Sequence, residues 1–234
     1  HYRIFGMGGS SLGAEAIYSF LNRKIRKRFS FVNNIDLSCN KNNKINQLNI
    51  IISKSGNTLE TLTNLNYQKV KKNCLFITEN KNSYLRNLAL KLKSEIIEHN
   101  NFIGGRYSVL SETGMIPAFF MGLEPNNFKR LDNLISSNKF INMLTYNVSS
   151  IFSFHQKKKN NSIILNYDED SNNLFYWYQQ LVAESLGKSS KGILPIVSPV
   201  PKDNHSVMQL YLDGLKKNFY TFFFVEDSPS KRID

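Results

Sequence analysis

The sequence predicts an α/β protein: a three-layer αβα sandwich around a parallel sheet, present twice, in residues 1–138 and 139–234. Three observations carry this. Short strand-like runs alternate with helix-like segments along most of the chain, the pattern of repeated βαβ units. Leu48–Ile52 is a near-continuous apolar run, as a parallel strand buried on both faces requires. Finally, Gly6-Met7-Gly8-Gly9-Ser10-Ser11-Leu12-Gly13 places a glycine-rich turn between a strand and a helix, where ligand-binding backbone is built in such sheets.

Taken in order, Tyr2–Phe5 is a strand and 11–22 a helix. Phe29–Val32 is a second strand, and polar Asn-rich sequence leads from it to the third, Leu48–Ile52. A helix over 59–70, a strand over 75–78, a helix over 83–92 and a strand over Glu95–Glu98 complete the alternation, with ligands expected at the carboxyl ends of the strands. Helices are expected over 115–122, 128–135 and 140–154. The second unit then has a strand over 162–166, a helix through Gln180 and Glu184, a strand over 193–197, a helix over 206–216 and a strand over 219–225.

Composition bounds the partners. The 234 residues are 41% hydrophobic and 12% aromatic, enough for a real core, and no apolar run reaches the length of a membrane span, so a soluble protein is expected. The formal charge of +12 invites a nucleic-acid reading. The basic residues fall, however, in short scattered groups such as 23–28, Lys71-Lys72 and Lys157-Lys158-Lys159, and the aromatics on helix faces or in buried runs. No nucleic-acid partner is expected. Cys39 and Cys74 are isolated thiols without metal-ligand spacing, read as small buried hydrophobes in a reducing cytoplasm. His1, His99, His155 and His205 show no metal-site clustering, and no metal is expected.

Four stretches carry chemistry. The glycine turn aims backbone N–H groups and a helix N-terminus at an anion. It is neither a Gly-x-Gly-x-x-Gly dinucleotide loop, since Ser11 stands at the third glycine, nor a Walker loop, since no Gly-Lys-Ser/Thr follows. Ser53-Lys54-Ser55-Gly56-Asn57-Thr58, running from strand into helix, offers hydroxyls and an ammonium to phosphate oxygens; the same hydroxyls could equally be helix caps. In Gly104-Gly105-Arg106-Tyr107-Ser108 the glycines allow a tight turn presenting Arg106, which serves either a structural ion pair or a reacting centre. Leu181-Val182-Ala183-Glu184-Ser185-Leu186-Gly187-Lys188 closes a helix that starts in Phe175-Tyr176-Trp177-Tyr178. Gln180 lies one turn before Glu184 on the same face, apolar packing nearby would disfavour the carboxylate charge and suit it to proton transfer, and Gly187 can end the helix.

Together and in this order, the four stretches resemble the glucose-6-phosphate isomerase family, over nearly the whole chain. The resemblance implies the sugar isomerase (SIS) fold, flavodoxin-like, with the second domain incomplete by the family's standard. It implies interconversion of glucose 6-phosphate and fructose 6-phosphate through a cis-enediol, without cofactor. By the same resemblance Ser10, Ser53, Lys54, Ser55 and Thr58 hold the substrate phosphate, and Gly9, Glu60 and Gly105 line the sugar. Glu184 is the base, Gln180 its orienting neighbour, and Arg106 the cation beside the developing enediolate. His205, in Pro201-Lys202-Asp203-Asn204-His205-Ser206, reads alone as a cap or surface residue; its family counterpart assists ring opening in the partner subunit of a homodimer. The match departs at Glu112, where the family has a small residue. It also lacks the family's lysine near the C-terminus: Lys188, Lys191 and Lys231 stand in other contexts, and the sequence is expected to be a piece of a longer, cytoplasmic enzyme. The alternatives are a non-catalytic sugar-phosphate-binding module of the same fold and a bifunctional phosphoglucose/phosphomannose isomerase.

Overall fold

A computed structural model describes residues 1–35, 47–214 and 216–226, the side chains of residues 129 and 132 excepted. Cys39 and Lys231 lie outside the described residues. The chain divides into two compact units, His1–Leu131 and Asp132–Asp234.

In the first unit, β1 (Tyr2–Phe5), β2 (Phe29–Val32), β3 (Leu48–Ile52), β4 (Cys74–Thr78) and β5 (Glu95–Glu98) form a parallel sheet in the order β2-β1-β3-β4-β5. The pleat sorts their side chains. Ile4, Ile50, Ile52, Leu75 and Ile77 face α1 (Leu12–Phe20) and α4 (Glu112–Met121), packing with Ala14, Ile17, Met115, Ala118 and Met121. Phe5, Ile51 and Phe76 face the other way, against Leu65 of α2 (Leu59–Tyr67) and Leu85 and Ala89 of α3 (Tyr84–Lys91). Each fully buried Ile or Phe stabilises the sandwich by roughly 1.5–3 kcal/mol. This is the three-layer arrangement expected from the alternating sequence.

The strand order reverses direction at β1. Its sequence successor β2 lies on one side and β3 on the other, in register Phe5↔Val32 and Phe5↔Ile51. The carboxyl ends of β1 and β3 therefore flank the crevice where open parallel sheets bind ligands. The chain leaves β1 into the glycine turn and β3 into the hydroxyl loop.

In the second unit, α5 (Asp132–Ile135) and α6 (Asn138–Gln156) precede β6 (Asn161–Asn166), α7 (Asn172–Leu186), β7 (Leu194–Pro199), α8 (Met208–Asp213) and β8 (Asn218–Phe223). The strands form a parallel sheet in the order β7-β6-β8. Its core is small, centred on Ile163, Leu165 and Val200. Ser137 caps α6, its hydroxyl accepting from Phe140 N at 3.4 Å.

Several boundaries differ from expectation for local reasons. The helix expected over 206–216 contracts to α8. Asp203 O takes the amides of Ser206 and Val207 into a preceding turn, and Gly214 closes the helix on Leu210 O. Strand β8 stops at Phe223, not 225, because its partner β6 ends at Asn166, paired with Phe223. The helix expected over 128–135 is split: Pro125 opens a 3-10 turn, Pro125–Lys129, and only Asp132–Ile135 is α-helical. Conversely, α4 begins at Glu112, three residues before the expected start, and ends where Gly122 takes a left-handed φ of 86°.

Candidate active site

The glycine turn folds as a 3-10 turn, Gly8–Ser10, with Ser10 N donating to Met7 O at 3.1 Å and Ser11 N to Gly8 O at 3.0 Å. Gly9 meets the arginine loop directly: a Cβ there would lie 2.3 Å from Gly105 O and 2.9 Å from Arg106 N. Only glycine allows this approach of two backbones. The buried Ser108 hydroxyl fixes the contact, facing Gly105 O at 2.6 Å and Gly9 O at 3.2 Å. A Cβ on Gly105 would meet nothing within 4 Å, so this residue borders open space. Arg106 is half-buried and lies over the Tyr107 ring, 4.5 Å from its centroid, a cation–π contact that restricts the guanidinium.

The hydroxyl loop is built differently from a helix cap. Ser53 Oγ and Thr58 Oγ1 lie 2.8 Å apart, and Ser53 Oγ also accepts from Gly56 N at 3.2 Å. Thr58 occupies the N-cap position of α2 but makes no side-chain cap hydrogen bond. The hydroxyls therefore turn toward one another and leave the first amides of α2 uncapped by a side chain, an arrangement suited to an oxyanion. Ser55 is exposed and accepts from Asn57 N at 3.2 Å. Gly56 needs its left-handed φ of 67°, and a Cβ there would strike Ser83 Oγ at 2.2 Å. Glu60 is half-buried in the first turn of α2.

Lys54, expected at the phosphate, is engaged here by acceptors of the protein itself. Its ammonium donates to Asn101 O at 3.0 Å and Ile103 O at 2.8 Å, and Glu79 lies 3.5 Å away. Three acceptors match three N–H groups, so the side chain ties the hydroxyl loop to the segment that leads into Gly104-Gly105-Arg106. Glu79 also pairs with Lys81. That hydrogen bond, with the charges of Lys81 and Lys54 added, holds the Glu79 carboxyl below its ordinary value against the opposing effect of desolvation.

In the second unit, Gln180 Nε2 donates to Glu184 Oε1 at 2.8 Å, the one-turn pairing expected from their spacing. The helix ends at Gly187, whose amide donates to Ala183 O at 2.8 Å, though with a negative φ of −75° rather than the left-handed cap. Glu184 is exposed, not set among apolar neighbours as expected, because α7 is solvated along its last turn. His205 ends a 3-10 turn, Lys202–His205, just after β7, and is exposed. Asp203 shapes this turn, accepting from Ser198 Oγ at 2.7 Å and Ser206 Oγ at 3.3 Å.

The first unit thus brings Gly9, Gly105 and Arg106 into one contact and Ser53, Ser55 and Thr58 into one loop. Ser10 sits in the glycine turn beside that contact. The second unit brings Gln180 and Glu184 together, with His205 on the loop after β7. Sequence reasoning missed Ser108 and Glu79. A serine between two tight turns and an acid two residues before Lys81 were the available signals. Among the described residues no group of three or more His, Cys, Asp or Glu could hold a metal ion, and no helix is long and apolar enough to cross a membrane.

A parallel αβα sheet with a glycine turn and a hydroxyl loop at its reversal point defines a protein of the sugar isomerase fold. Its structural likeness to a glucose-6-phosphate isomerase from Chlamydia trachomatis agrees, at a TM-score of 0.71, 22% identity, and coverage of 94% of this chain and 48% of that one. The chain belongs to the phosphoglucose isomerase family, whose model matches residues 3–193. Glucose-6-phosphate isomerase from Methanocaldococcus jannaschii is 35% identical, over 94% of this chain and 58% of its own length. The enzyme of that name from Campylobacter jejuni is 34% identical, over 98% of this chain and 62% of its own. The chain thus spans less than two thirds of these curated relatives.

Proposed function

We propose that the protein interconverts glucose 6-phosphate and fructose 6-phosphate, in the cytoplasm, serving glycolysis and gluconeogenesis. The observation that carries this reading is the crevice between β1 and β3. There a glycine turn packed against an arginine loop stands beside a hydroxyl loop whose serine and threonine leave a helix N-terminus uncapped.

In this reading Ser53, Ser55, Thr58 and Ser10 hold the phosphate, and the uncapped amides of α2 add to the cradle. Gly9, Gly105 and Glu60 line the sugar. His205, from the partner subunit of a homodimer, assists ring opening. Glu184 then takes the proton from C2 of the open aldose. The C2–H electron pair forms the C1=C2 double bond, and the carbonyl π pair becomes the enediolate oxygen. That charge develops beside Arg106. The carried proton returns to C1 as the proton on O2 passes to O1, leaving C2=O and a C1 hydroxyl, the ketose. Gln180 holds the Glu184 carboxylate in place through their hydrogen bond. Lys54 serves here as a tie between loops.

A coupled assay of fructose 6-phosphate isomerisation tests the reading, run on the protein and on Glu184→Gln. Turnover in the first and its loss in the second support it. Sugar-phosphate binding without turnover in either supports a binding module instead. Size-exclusion chromatography with light scattering tests the homodimer.

A further inference from the structure

The segment between β5 and the arginine loop is held at both ends by charged side chains that the mechanism does not otherwise use. From one side, Lys54 takes the carbonyls of Asn101 and Ile103. From the other, Glu112, the first residue of α4, accepts the Asn100 amide at 2.7 Å. The same Glu112 oxygen lies 3.2 Å from His99 Nδ1, which also faces Asn100 O at 2.9 Å. Both neighbours of Nδ1 are acceptors, so that nitrogen carries the imidazole proton. His99 is 2% exposed, while Glu112 is half-buried and Asn100 exposed, so the clamp has one arm inside the protein and one at its surface. Within the segment, Asn100 Oδ1 accepts from Phe102 N at 2.9 Å, and Asn100 O accepts from Ile103 N at 3.2 Å. Gly104 follows directly, and Gly105 then meets Gly9.

We infer that Glu112 is a positioning residue for the reaction: its carboxylate, clamping Asn100 and His99, sets the height at which Gly105 and Arg106 face the substrate. The inference rests on the isomerase reading above. The Glu112 carboxylate is engaged by Asn100 and His99, in the segment that leads into the arginine loop. Two glycines are flexible, and a segment entering them unclamped would sample many geometries. Displacement of a catalytic cation by about 1 Å costs up to about 100-fold in rate.

The test compares wild type, Glu112→Ala and Glu112→Gln, reading kcat, KM, inhibition by inorganic phosphate, and affinity for a five-carbon aldonate phosphate whose carboxylate mimics the enediolate. Glu112→Ala is expected to lower kcat and the affinity for the mimic each by about 10-fold or more, while KM and phosphate inhibition stay within about twofold. Glu112→Gln keeps an acceptor for Asn100 N and is expected to restore most of both losses. Thermal melting confirms that each variant is folded. Unchanged kcat and mimic affinity in Glu112→Ala overturns the inference alone. So does equal weakening of mimic and inorganic phosphate with no rescue by glutamine, which marks a general structural role. A wild-type protein without turnover overturns the isomerase reading itself.

Discussion

Gly9 and Gly105 touch backbone to backbone, so closely that a methyl group on Gly9 would come within 2.3 Å of the Gly105 carbonyl oxygen. The contact joins the turn after β1 to the loop carrying Arg106, and neither side can yield without moving the other. Gly9→Ala is expected to lower kcat/KM by about 100-fold through displacement of the arginine loop. Overpacking should destabilise the fold by roughly 1–3 kcal/mol, read as a lowered denaturant midpoint. Wild-type kinetics in a folded variant would show that the contact does not position the site.

The Ser53–Thr58 hydroxyl pair makes a second prediction. With 2.8 Å between the oxygens, each hydroxyl orients the other. Thr58→Val keeps the shape and removes the hydroxyl. Loss of one charge-assisted hydrogen bond, about 1.5–3 kcal/mol, should weaken inorganic phosphate and raise KM by at least about 10-fold. Ser53→Ala should match it within a few fold, and the double variant should lose less than the sum of the two.

For Glu184, which Gln180 holds at 2.8 Å, the expectation is a defect in kcat. Glu184→Gln removes the proton acceptor but nothing in the phosphate loops. The isomerisation rate should fall about 100- to 10,000-fold, the range for a lost general base, with inhibition by inorganic phosphate unchanged. Gln180→Ala should give a milder loss in kcat at unchanged KM.

Glu79 links Lys54 to Lys81, and its carboxyl is held below the usual range chiefly by the Lys81 hydrogen bond. A carboxyl depressed in the folded state contributes stability above its unfolded value, lost as pH falls through the folded one. The acid limb of a melting-temperature profile should therefore flatten in Glu79→Gln. The same variant frees Lys54 from its acidic neighbour and should raise KM.

Burial pushes the Cys74 thiol up from 9.0 to about 11. A raised folded value means that its stabilisation is complete below about pH 9 and lost as pH rises to about 11. Cys74→Val should soften the alkaline fall in melting temperature. In the native protein at pH 8, Cys74 should resist aromatic disulfide reagents until unfolding, as peptide mapping would read.

The parts legible in the sequence are those governed by local rules. Ile50-Ile51-Ile52 announces a strand buried on both faces, and Gly6-Met7-Gly8-Gly9 a turn that side chains would block. The pairing of Gln180 with Glu184 follows from helical spacing alone. What stayed hidden depends on tertiary partners without a sequence signature. Lys54 donates to two backbone carbonyls some fifty residues away, partners that its own hydroxyl-rich motif does not announce. Glu112 could be recognised as unusual but not as a clamp, because its partner amide belongs to a loop rather than to a motif. The exposure of Glu184 was equally invisible, since periodicity assigns a face to a residue and says nothing of how deeply that face is covered.

Lys54 is one residue with two allegiances: the chain places it among the hydroxyls, while its ammonium belongs to the carbonyls ahead of Arg106. A sugar arriving without its phosphoryl group would offer nothing to the hydroxyls on the near side of that tie, so in the proposed reaction the unphosphorylated hexose should turn over slowly even at concentrations high enough to fill the crevice.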